Sequence, residues 1–475
     1  MKKKLLAFSL FVSVIVSAQV KYEWGDKFNY NSPEETNPQL VLTDNYNTYL
    51  LTITNVHGMM SSHKVTVRKF DQKNQLIGTF TQDWKQLDIG TLYNFIGCKE
   101  LNDHQVAVFA ESYSGKEKKK DVYKYVFDKG DGKFTTSLVV SWPIESAMKS
   151  GTTDFEISDN GRYIGLINER DGSKKDPVSD EVVMLDGANA SVLWKKQVPL
   201  EEKVYDRAFT VTNSGKAILL RAAKGMKLSN YLTIVSENSQ EDKQFEEAVM
   251  LQDPKAISIG QADYLVAFNF AAKGLRSGDY ESLMLYDLGN GKTLKNNAIK
   301  EFNSLKDITG ITFNHVFLQN NEIHLFVEPR VKAGTRSTKL NPMSSFTTEE
   351  PYYKFGPSYL IVMSFDGVVK FAKALQTEYS AMADFYHSFG LVNIGGKYYI
   401  NAGSLYRIFE QPYDRSDAKE ITAVPKEAAK DPYYSNSPQY IAQVMAYVKD
   451  AKRLVLCRTF SDNKMSLVSI VGFPN

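Results

Sequence analysis

Short stretches of alternating apolar and polar residues recur along the whole chain, and a polar turn separates the members of each pair. The clearest copies are FEISDNGRYIGLI (Phe155 to Ile167) and FTVTNSGKAILLR (Phe209 to Arg221). A period of two is typical of β-strands, and Asn and Gly are typical of the tight turns between them. The equivalent turn positions, spaced 57, 58, 54, 48, 58, 75 and 55 residues apart, are Asn45, Asn102, Asn160, Ser214, Ala262, Asn320, Gly395 and Asp450.

A repeat of about 55 residues with several strands and no helix is typical of a β-propeller. In the first repeat the pattern predicts four strands, at Leu40 to Thr43, Thr48 to Thr54, Lys64 to Phe70 and Leu76 to Thr81. The eight turn positions therefore predict an all-β fold. It is a single closed propeller of eight blades, mostly with four antiparallel strands each. Seven blades is the alternative, because the repeat around Gly395 is weakly patterned.

The last repeat is one strand short. It provides strands at Ala442 to Val448, Arg453 to Phe460 and Ser466 to Gly472, and then the sequence ends. The segment Val20 to Trp24 is a strand without a repeat of its own. If the ring closes, this segment can supply the missing outer strand, which removes an exposed sheet edge.

One turn carries a family resemblance. Ser158-Asp159-Asn160-Gly161-Arg162-Tyr163-Ile164 resembles the S-x-D-G-K/R-Y-I core of TolB-like and WD40-like propeller repeats, and Thr212 to Lys216 resembles it loosely. The chain lacks the Trp of sialidase-type Asp boxes and the Gly-His and Trp-Asp pairs of true WD40 blades. The resemblance implies a propeller with a binding role, and it carries over no catalytic residue.

The N-terminus predicts export. Lys2, Lys3 and Lys4 precede the 12 apolar-rich residues Leu5 to Val16, and Val16-Ser17-Ala18 offers small residues for cleavage. This is the pattern of a secretory signal peptide, too short to span a membrane; an uncleaved anchor is the alternative. We expect a signal peptide at residues 1–18 and a propeller domain at 19–475, in the periplasm or outside the cell.

The charge balance bears on the kind of partner, and the positions of the cysteines bear on disulfide formation. The chain has 57 basic and 55 acidic residues, and removal of the three signal-peptide lysines leaves 54 basic ones. This balance argues against nucleic acid or an anionic membrane as a partner. The basic run Lys116 to Lys120 is expected at a solvated hairpin tip. Cys98 and Cys457 fall in blades that are not adjacent, so we expect both thiols to be unpaired.

Catalytic and metal-binding motifs are scarce. The segment His57 to His63 combines two imidazoles with two thioethers, which suits copper. The favoured interpretation is a polar loop between the second and third strands of the first repeat, with the Met side chains packed on a neighbour, and no metal or other cofactor is predicted. His315 and His324 flank one hairpin turn and fit hydrogen-bonded strand residues. The chain has no G-x-S-x-G, H-E-x-x-H or phosphate-binding glycine-rich motif, so no catalytic residue is predicted.

Tyrosine is concentrated late in the chain. The segment Pro351 to Tyr447 holds 13 of the 27 tyrosines, and it follows Arg330 to Glu350, a long polar stretch without a strand pattern. Long loops on a rigid scaffold often carry function, and tyrosine offers a stiff contact surface with a polar tip. We therefore predict a binding surface formed by paired tyrosines, namely Tyr352, Tyr353, Tyr398, Tyr399, Tyr433 and Tyr434.

Two functions remain open from the sequence. The first is a non-enzymatic scaffold or recognition module for a protein or a glycan. The second is a propeller hydrolase or lyase that acts on extracellular polysaccharide. Two or more carboxylates with a His or Arg at the mouth of the channel would favour the enzyme, and an apolar, Tyr-rich rim would favour binding.

Overall fold

The structure is a computed structural model, and it describes most of the chain after the predicted signal peptide. The described residues are 21–30, 35, 38–54, 63–85, 87, 92–144, 146, 150–169, 179–199, 204–223, 229–273, 276–304, 308–339, 347–375, 379–381, 389–402, 407–423, 439–460 and 463–472. The predicted signal peptide lies outside these ranges. Within them the only helical element is a 3-10 turn at Lys300–Ser304, and no helix is long and apolar enough to cross a membrane.

The strands form eight antiparallel sheets, which are the blades of a propeller. In chain order the strands of blades 1 to 4 are β3 Leu40–Thr43, β4 Thr48–Thr54, β5 Lys64–Phe70 and β6 Leu76–Asp83; β7 Leu92–Asn102, β8 Gln105–Ser114, β9 Lys119–Asp128 and β10 Phe134–Pro143; β11 Thr152–Ile157, β12 Tyr163–Glu169, β13 Ser179–Asp186 and β14 Val192–Pro199; and β15 Val204–Val211, β16 Ala217–Ala223, β17 Ser229–Val235 and β18 Gln240–Val249.

Blades 5 to 8 repeat this arrangement with two additions. Their strands are β19 Leu251–Ile259, β20 Ala262–Lys273, β21 Arg276–Asp287 and β22 Lys292–Asn297; β23 Ile308–Gln319, β24 Glu322–Lys339, β25 Thr347–Phe355, β26 Tyr359–Ser364, β27 Val369–Ala374 and β28 Tyr379–Ala381; β29 Phe389–Ile394, β30 Lys397–Ala402, β31 Arg407–Gln411 and β32 Lys419–Ala423; and β33 Gln439–Val448, β34 Arg453–Phe460 and β35 Lys464–Val471 with β1 Lys21–Trp24 and β2 Phe28–Asn29.

The N-terminal strand closes the ring, as predicted. β1 pairs antiparallel with β35 over Lys21 to Trp24, and the order in blade 8 is β1-β35-β34-β33. The Trp24 ring packs on the guanidinium of Arg458, 4.4 Å from the ring centre. Blade 8 therefore combines both ends of the described chain.

The hydrophobic core lies between the blades. Eight clusters of buried side chains each join two neighbouring blades, and one of them joins Phe70 of blade 1 to Val455 of blade 8. Both faces of a blade are covered, so β4 is buried at every position, while the outermost strand β6 alternates between exposed and half-buried residues. The ring is thus closed by packing as well as by strand pairing.

All eight predicted turn positions fall at the hairpin between the first and second strands of a blade, or at its edge. The repeat around Gly395 is a complete four-stranded blade, β29 to β32, so eight blades is confirmed and the alternative of seven is wrong. Because all first strands run in the same direction, these turns lie together on one side of the ring, which we call the turn face.

The polar stretch Arg330 to Glu350, in which no strand pattern was expected, forms strands at both of its ends. Arg330 to Glu350 contributes the second half of β24 and the start of β25, which pair from Arg330↔Phe355 to Lys339↔Thr347. Likewise, β20 and β21 extend into Ala272 to Asp279 and pair as far as Lys273↔Arg276. The polar sequence did not predict these strands, because the part of a hairpin that extends beyond the packed blade needs no alternation of apolar and polar residues.

The prediction for the basic run is wrong at its last residue. The Lys120 side chain is completely buried. Its ammonium lies 3.6 Å from Glu111 and donates to Thr153 Oγ1 of the next blade at 2.9 Å. The preceding residues, 115 to 118, are exposed as expected. The neighbouring blade covers Lys120, and sequence periodicity within one repeat does not reveal such a neighbour.

Both cysteines are free thiols. Cys98 lies on β7 of blade 2, and the fully buried Cys457 lies on β34 of blade 8. Blade 1 separates these two blades, which agrees with the predicted blade order.

Candidate functional site

The structure describes only part of the predicted tyrosine surface. Tyr353 lies on β25, with its ring centre 5.0 Å from the guanidinium of Arg330. Tyr352 precedes it on the same strand, but its side chain lies outside the described residues, as do Tyr433 and Tyr434.

Tyr398 and Tyr399 lie on the second strand of blade 7, and both side chains are fully buried. The Tyr398 hydroxyl is 3.0 Å from His324 Nδ1 of blade 6, and the Tyr399 hydroxyl donates to Glu410 Oε2 at 3.1 Å. Alternation sends the two rings to opposite faces of the blade, and a neighbouring blade covers each face. Tyr398 and Tyr399 therefore pack between blades. Ligand binding by the paired tyrosines stays a prediction.

A concentration of polar side chains lies in the channel along the ring axis. A cavity of about 220 Å³ lies between the innermost strands of blades 3 to 6. Its lining combines polar side chains, Glu156, Asp159, Thr210, Lys255, Asn314 and His315, with the apolar residues Ile157, Ala256, Ile257, Phe313 and Val316. Asp159 belongs to the first hairpin turn of blade 3, so the cavity extends to the turn face.

An ion cluster crosses this cavity. Lys255 Nζ of blade 5 lies 3.3 Å from Glu156 Oε1 of blade 3, and 3.5 Å from Asp253 Oδ1 on its own strand. The contact between Lys255 and Glu156 passes over the innermost strand of blade 4. Each of the three side chains keeps about a quarter of its surface exposed, at 26 to 28%. The cluster is thus accessible from the cavity.

Burial and charge shift the pKa values in the cluster. Burial raises the pKa of Glu156 above its usual value, and Lys255 only partly offsets this effect. Burial also raises the pKa of Asp159. For Lys255, burial alone would lower the pKa, but the carboxylates of Asp253 and Glu156 outweigh it and raise the pKa. The cavity therefore holds a firmly protonated ammonium and two carboxyl groups that take up protons more easily than usual.

The cavity wall is polar because innermost strands have an unpaired edge. Side chains of neighbouring blades bind that edge: Thr210 Oγ1 accepts from the Ala256 backbone N–H at 3.2 Å, and Asp253 Oδ2 accepts from the Phe313 N–H at 2.7 Å. Next to Phe313, the buried side-chain nitrogen and oxygen of Asn314 have no hydrogen-bond partner among the described residues. An amide in this state can bind a ligand that supplies both a donor and an acceptor.

The sequence analysis treated Asp159 only as part of a turn motif and His315 only as a strand residue, and it did not predict a channel site. The residues of this site come from four different blades and form no local motif. One signal was present. Glu156 and Thr210 each lie four residues before their turn positions, Asn160 and Ser214. The same place holds Val41, Cys98, Leu391 and Ala446 in four other blades.

Most of the segment that suggested copper, residues 55–62, lies outside the described residues. His63 contacts aromatic rings, with its ring centre 5.7 Å from that of Trp84 and 5.0 Å from that of Tyr93. Among the described residues no three His, Cys, Asp or Glu side chains form a group that could hold a metal ion.

Among the comparisons with known proteins, only the comparison of structures finds similar proteins. No protein-family profile matches the sequence, and no curated protein matches it. The β-propeller domain of the Trilobed protease from Pyrococcus furiosus aligns over 84% of this chain and 98% of its own, with 10% identity and a TM-score of 0.38. The Dos1 propeller aligns over 96% of each chain, with 10% identity and a TM-score of 0.32.

The α-L-arabinofuranosidase Arb93A from Fusarium graminearum, in complex with an iminosugar inhibitor, aligns over 95% of this chain and 97% of its own. Its identity is 10% and its TM-score 0.32. Likenesses this distant carry no argument about ligand or activity. The class that the architecture defines is an eight-bladed β-propeller with a polar cavity in its channel.

Proposed function

We propose that this protein is an exported, non-enzymatic binding propeller that takes one polar unit of a glycan into its channel. The observation that carries the proposal is the channel cavity, in which Glu156, Asp159, Lys255, Asn314 and His315 meet. Carboxylates accept hydrogen bonds, an ammonium donates them, and an amide does both. Such a mixture suits a ligand whose hydroxyl groups donate and accept at neighbouring positions.

The size of the cavity supports a small ligand. Pockets for drug-sized ligands measure roughly 300–1,000 Å³, whereas this one measures about 220 Å³. A single sugar unit, alone or at the end of a chain, fits a cavity of this size better than a folded protein surface does. The proposal of export rests on the N-terminal sequence pattern. An exported protein would meet glycans of the periplasm or of the cell's surroundings.

A second function is favoured by one observation. The raised pKa values of Glu156 and Asp159 are those of candidate general acids, because a general acid must hold its proton near the working pH. The alternative is therefore a hydrolase or lyase that cleaves the bound glycan. Binding is the better-supported role, because Lys255 already occupies the Glu156 carboxylate at 3.3 Å.

Isothermal titration of residues 19–475 with glucose, galactose, mannose, xylose and their β-linked oligosaccharides tests both functions. We expect saturable heat without release of reducing ends, and loss of that heat in Glu156→Gln. Glu237→Gln, at an exposed turn of blade 4, is the matched control and should bind normally. Released reducing ends that vanish in Glu156→Gln would establish the enzyme instead. No heat and no product with any sugar would refute both.

A further inference from the structure

A second concavity lies on the turn face, away from the channel cavity. It measures about 540 Å³ and crosses the first hairpin turns of three consecutive blades, 8, 1 and 2. The residues that define its character are Asp44, Tyr46, Asp103, His104, Lys129 and Asp450. We call this concavity the rim groove. None of its lining residues is shared with the channel cavity.

Tyr46 is its most unusual feature. Its side chain is 63% exposed, the largest value for any bulky apolar or aromatic side chain among the described residues. An aromatic ring in water forgoes the stabilisation that burial would give it. The rest of its turn gains nothing from the ring, because the hydrogen bonds that hold the turn come from backbone groups and other side chains.

The turn that carries Tyr46 is held rigidly. Asp44 Oδ1 accepts from the backbone N–H groups of Tyr46 and Asn47, at 2.7 and 2.6 Å. The buried Arg453 of blade 8 donates to the Tyr46 carbonyl at 3.4 Å and to Thr48 Oγ1 at 3.3 Å. The backbone that presents the ring is therefore fixed from two blades, which lowers the entropic cost of binding to it.

Polar groups of both kinds line the groove together with Tyr46. Lys129, whose side chain is 2% exposed, forms an ion pair with Glu100 and donates to the Thr43 carbonyl at 3.2 Å, so its ammonium is fixed beside the turn. Asp103 and Asp450 supply exposed carboxylates from the neighbouring turns. This arrangement suits a sugar, whose C–H face can pack on the Tyr46 ring while its hydroxyls donate to the exposed carboxylates.

We propose that the rim groove is a second glycan-binding site, in which a neutral sugar unit stacks on Tyr46. The groove is lined by three aspartates and two lysines, namely Asp44, Asp103, Asp450, Lys129 and Lys449. This near balance of charge favours an uncharged ligand over a strongly cationic or anionic one. The site stands apart from the channel site proposed above, since it uses other blades and other residues. Each site can bind a sugar unit of a glycan chain without the other site being occupied.

Affinity electrophoresis of residues 19–475 through native gels cast with laminarin, mannan or xylan tests the site. We expect retardation by at least one polysaccharide, and a Kd about tenfold higher for Tyr46→Ala. Tyr46→Phe, which keeps the ring, should retain most of the retardation. Leu138→Ala, at a 52% exposed position on the outer strand of blade 2, is the control and should migrate like the unchanged protein. The Tm of Tyr46→Ala should stay within about 1 °C of that of the unchanged protein, as for most surface substitutions.

The outcomes separate the two sites. If Tyr46→Ala migrates like the unchanged protein while Glu156→Gln loses retardation, the rim groove is not a site and the channel proposal stands. The reverse result supports the rim groove as a binding site and contradicts the proposal of a binding site in the channel. If no polysaccharide retards the unchanged protein, the rim proposal is wrong.

Discussion

Removal of the Lys255 ammonium is the sharpest test of the channel cluster. Lys255→Met keeps the length of the side chain but leaves Glu156 and Asp253 without their shared cation, at former distances of 3.3 and 3.5 Å. A charge pair at 4 Å is worth about 4 kcal/mol at an effective dielectric constant of 20, and breaking a fully buried pair costs roughly 3–5 kcal/mol. Since these side chains are about a quarter exposed, we expect a loss of about 2 kcal/mol at pH 7.5.

The double variant should be more stable than the single one. Glu156→Gln with Lys255→Met removes both charges of the cross-channel pair, while Asp253 keeps its hydrogen bond from the Phe313 N–H. The coupling between two residues in contact is roughly 0.5–3 kcal/mol. We therefore expect the second substitution to restore more than half of the stability lost in Lys255→Met.

The defect should depend on pH in a defined direction. Loss of Lys255 raises the pKa of Glu156 further above its usual value of 4.5. An acid whose folded pKa lies above its unfolded pKa binds its proton more tightly in the native state. Its protonation therefore favours folding at low pH, and this contribution is lost as the pH rises through the folded pKa. The defect of Lys255→Met should be large at pH 7.5 and small near pH 4.5.

Thermal unfolding measures these effects. Unfolding entropies are roughly 2.1 cal/mol/K per residue, so about 2 kcal/mol corresponds to a shift of about 2 °C for a chain of this length. Lys292→Met, at an exposed position on the outermost strand of the same blade, is the control and should not shift Tm. Equal Tm values for Lys255→Met and the unchanged protein at both pH values would refute the cluster. So would a double variant less stable than Lys255→Met.

Three further predictions concern closure, the thiols and the extended hairpin. Deletion of residues 19–24, which removes β1, should lower Tm by several degrees in differential scanning fluorimetry because blade 8 loses its outer strand; an unchanged Tm would mean that the ring does not depend on β1. Burial raises the pKa of the Cys98 and Cys457 thiols to about 12, so iodoacetamide at pH 8 should leave the native protein unlabelled and add two groups after denaturation without reductant; a disulfide would overturn the blade order. Deletion of Ala333 to Thr348 should leave glycan retardation unchanged if the channel and rim sites are correct, whereas loss of retardation with an unchanged Tm would return the functional face to the hairpin and its tyrosines.

The fold was predictable because its signals are local and repeated. Each turn position, such as Asn160 or Gly395, marks a hairpin whose two strands are adjacent in sequence. Even the closure by Val20 to Trp24 followed from counting strands in one repeat. The strand positions and the blade number therefore come from short-range information, which a single sequence contains.

Burial of polar residues was not predictable, because it depends on the next blade. Lys120 is at the end of a basic run that looks solvated, yet Thr153 and Trp142 enclose it. Tyr398 and Tyr399 look like a half-exposed pair, yet each ring meets a different neighbour. This propeller buries both faces of its blades between neighbours, so one repeat considered alone overestimates exposure.

The channel site was hidden for a related reason, and its position suggests how such sites can be found. Length and composition direct attention to long polar stretches such as Arg330 to Glu350. The channel is lined instead by short innermost strands that look ordinary one at a time. When the repeats are aligned on their turns, Glu156 and Thr210 stand where other blades carry apolar or small residues. A polar residue gains nothing there from the core between blades, so its presence on two consecutive blades, 3 and 4, supports the proposed ligand site at the axis.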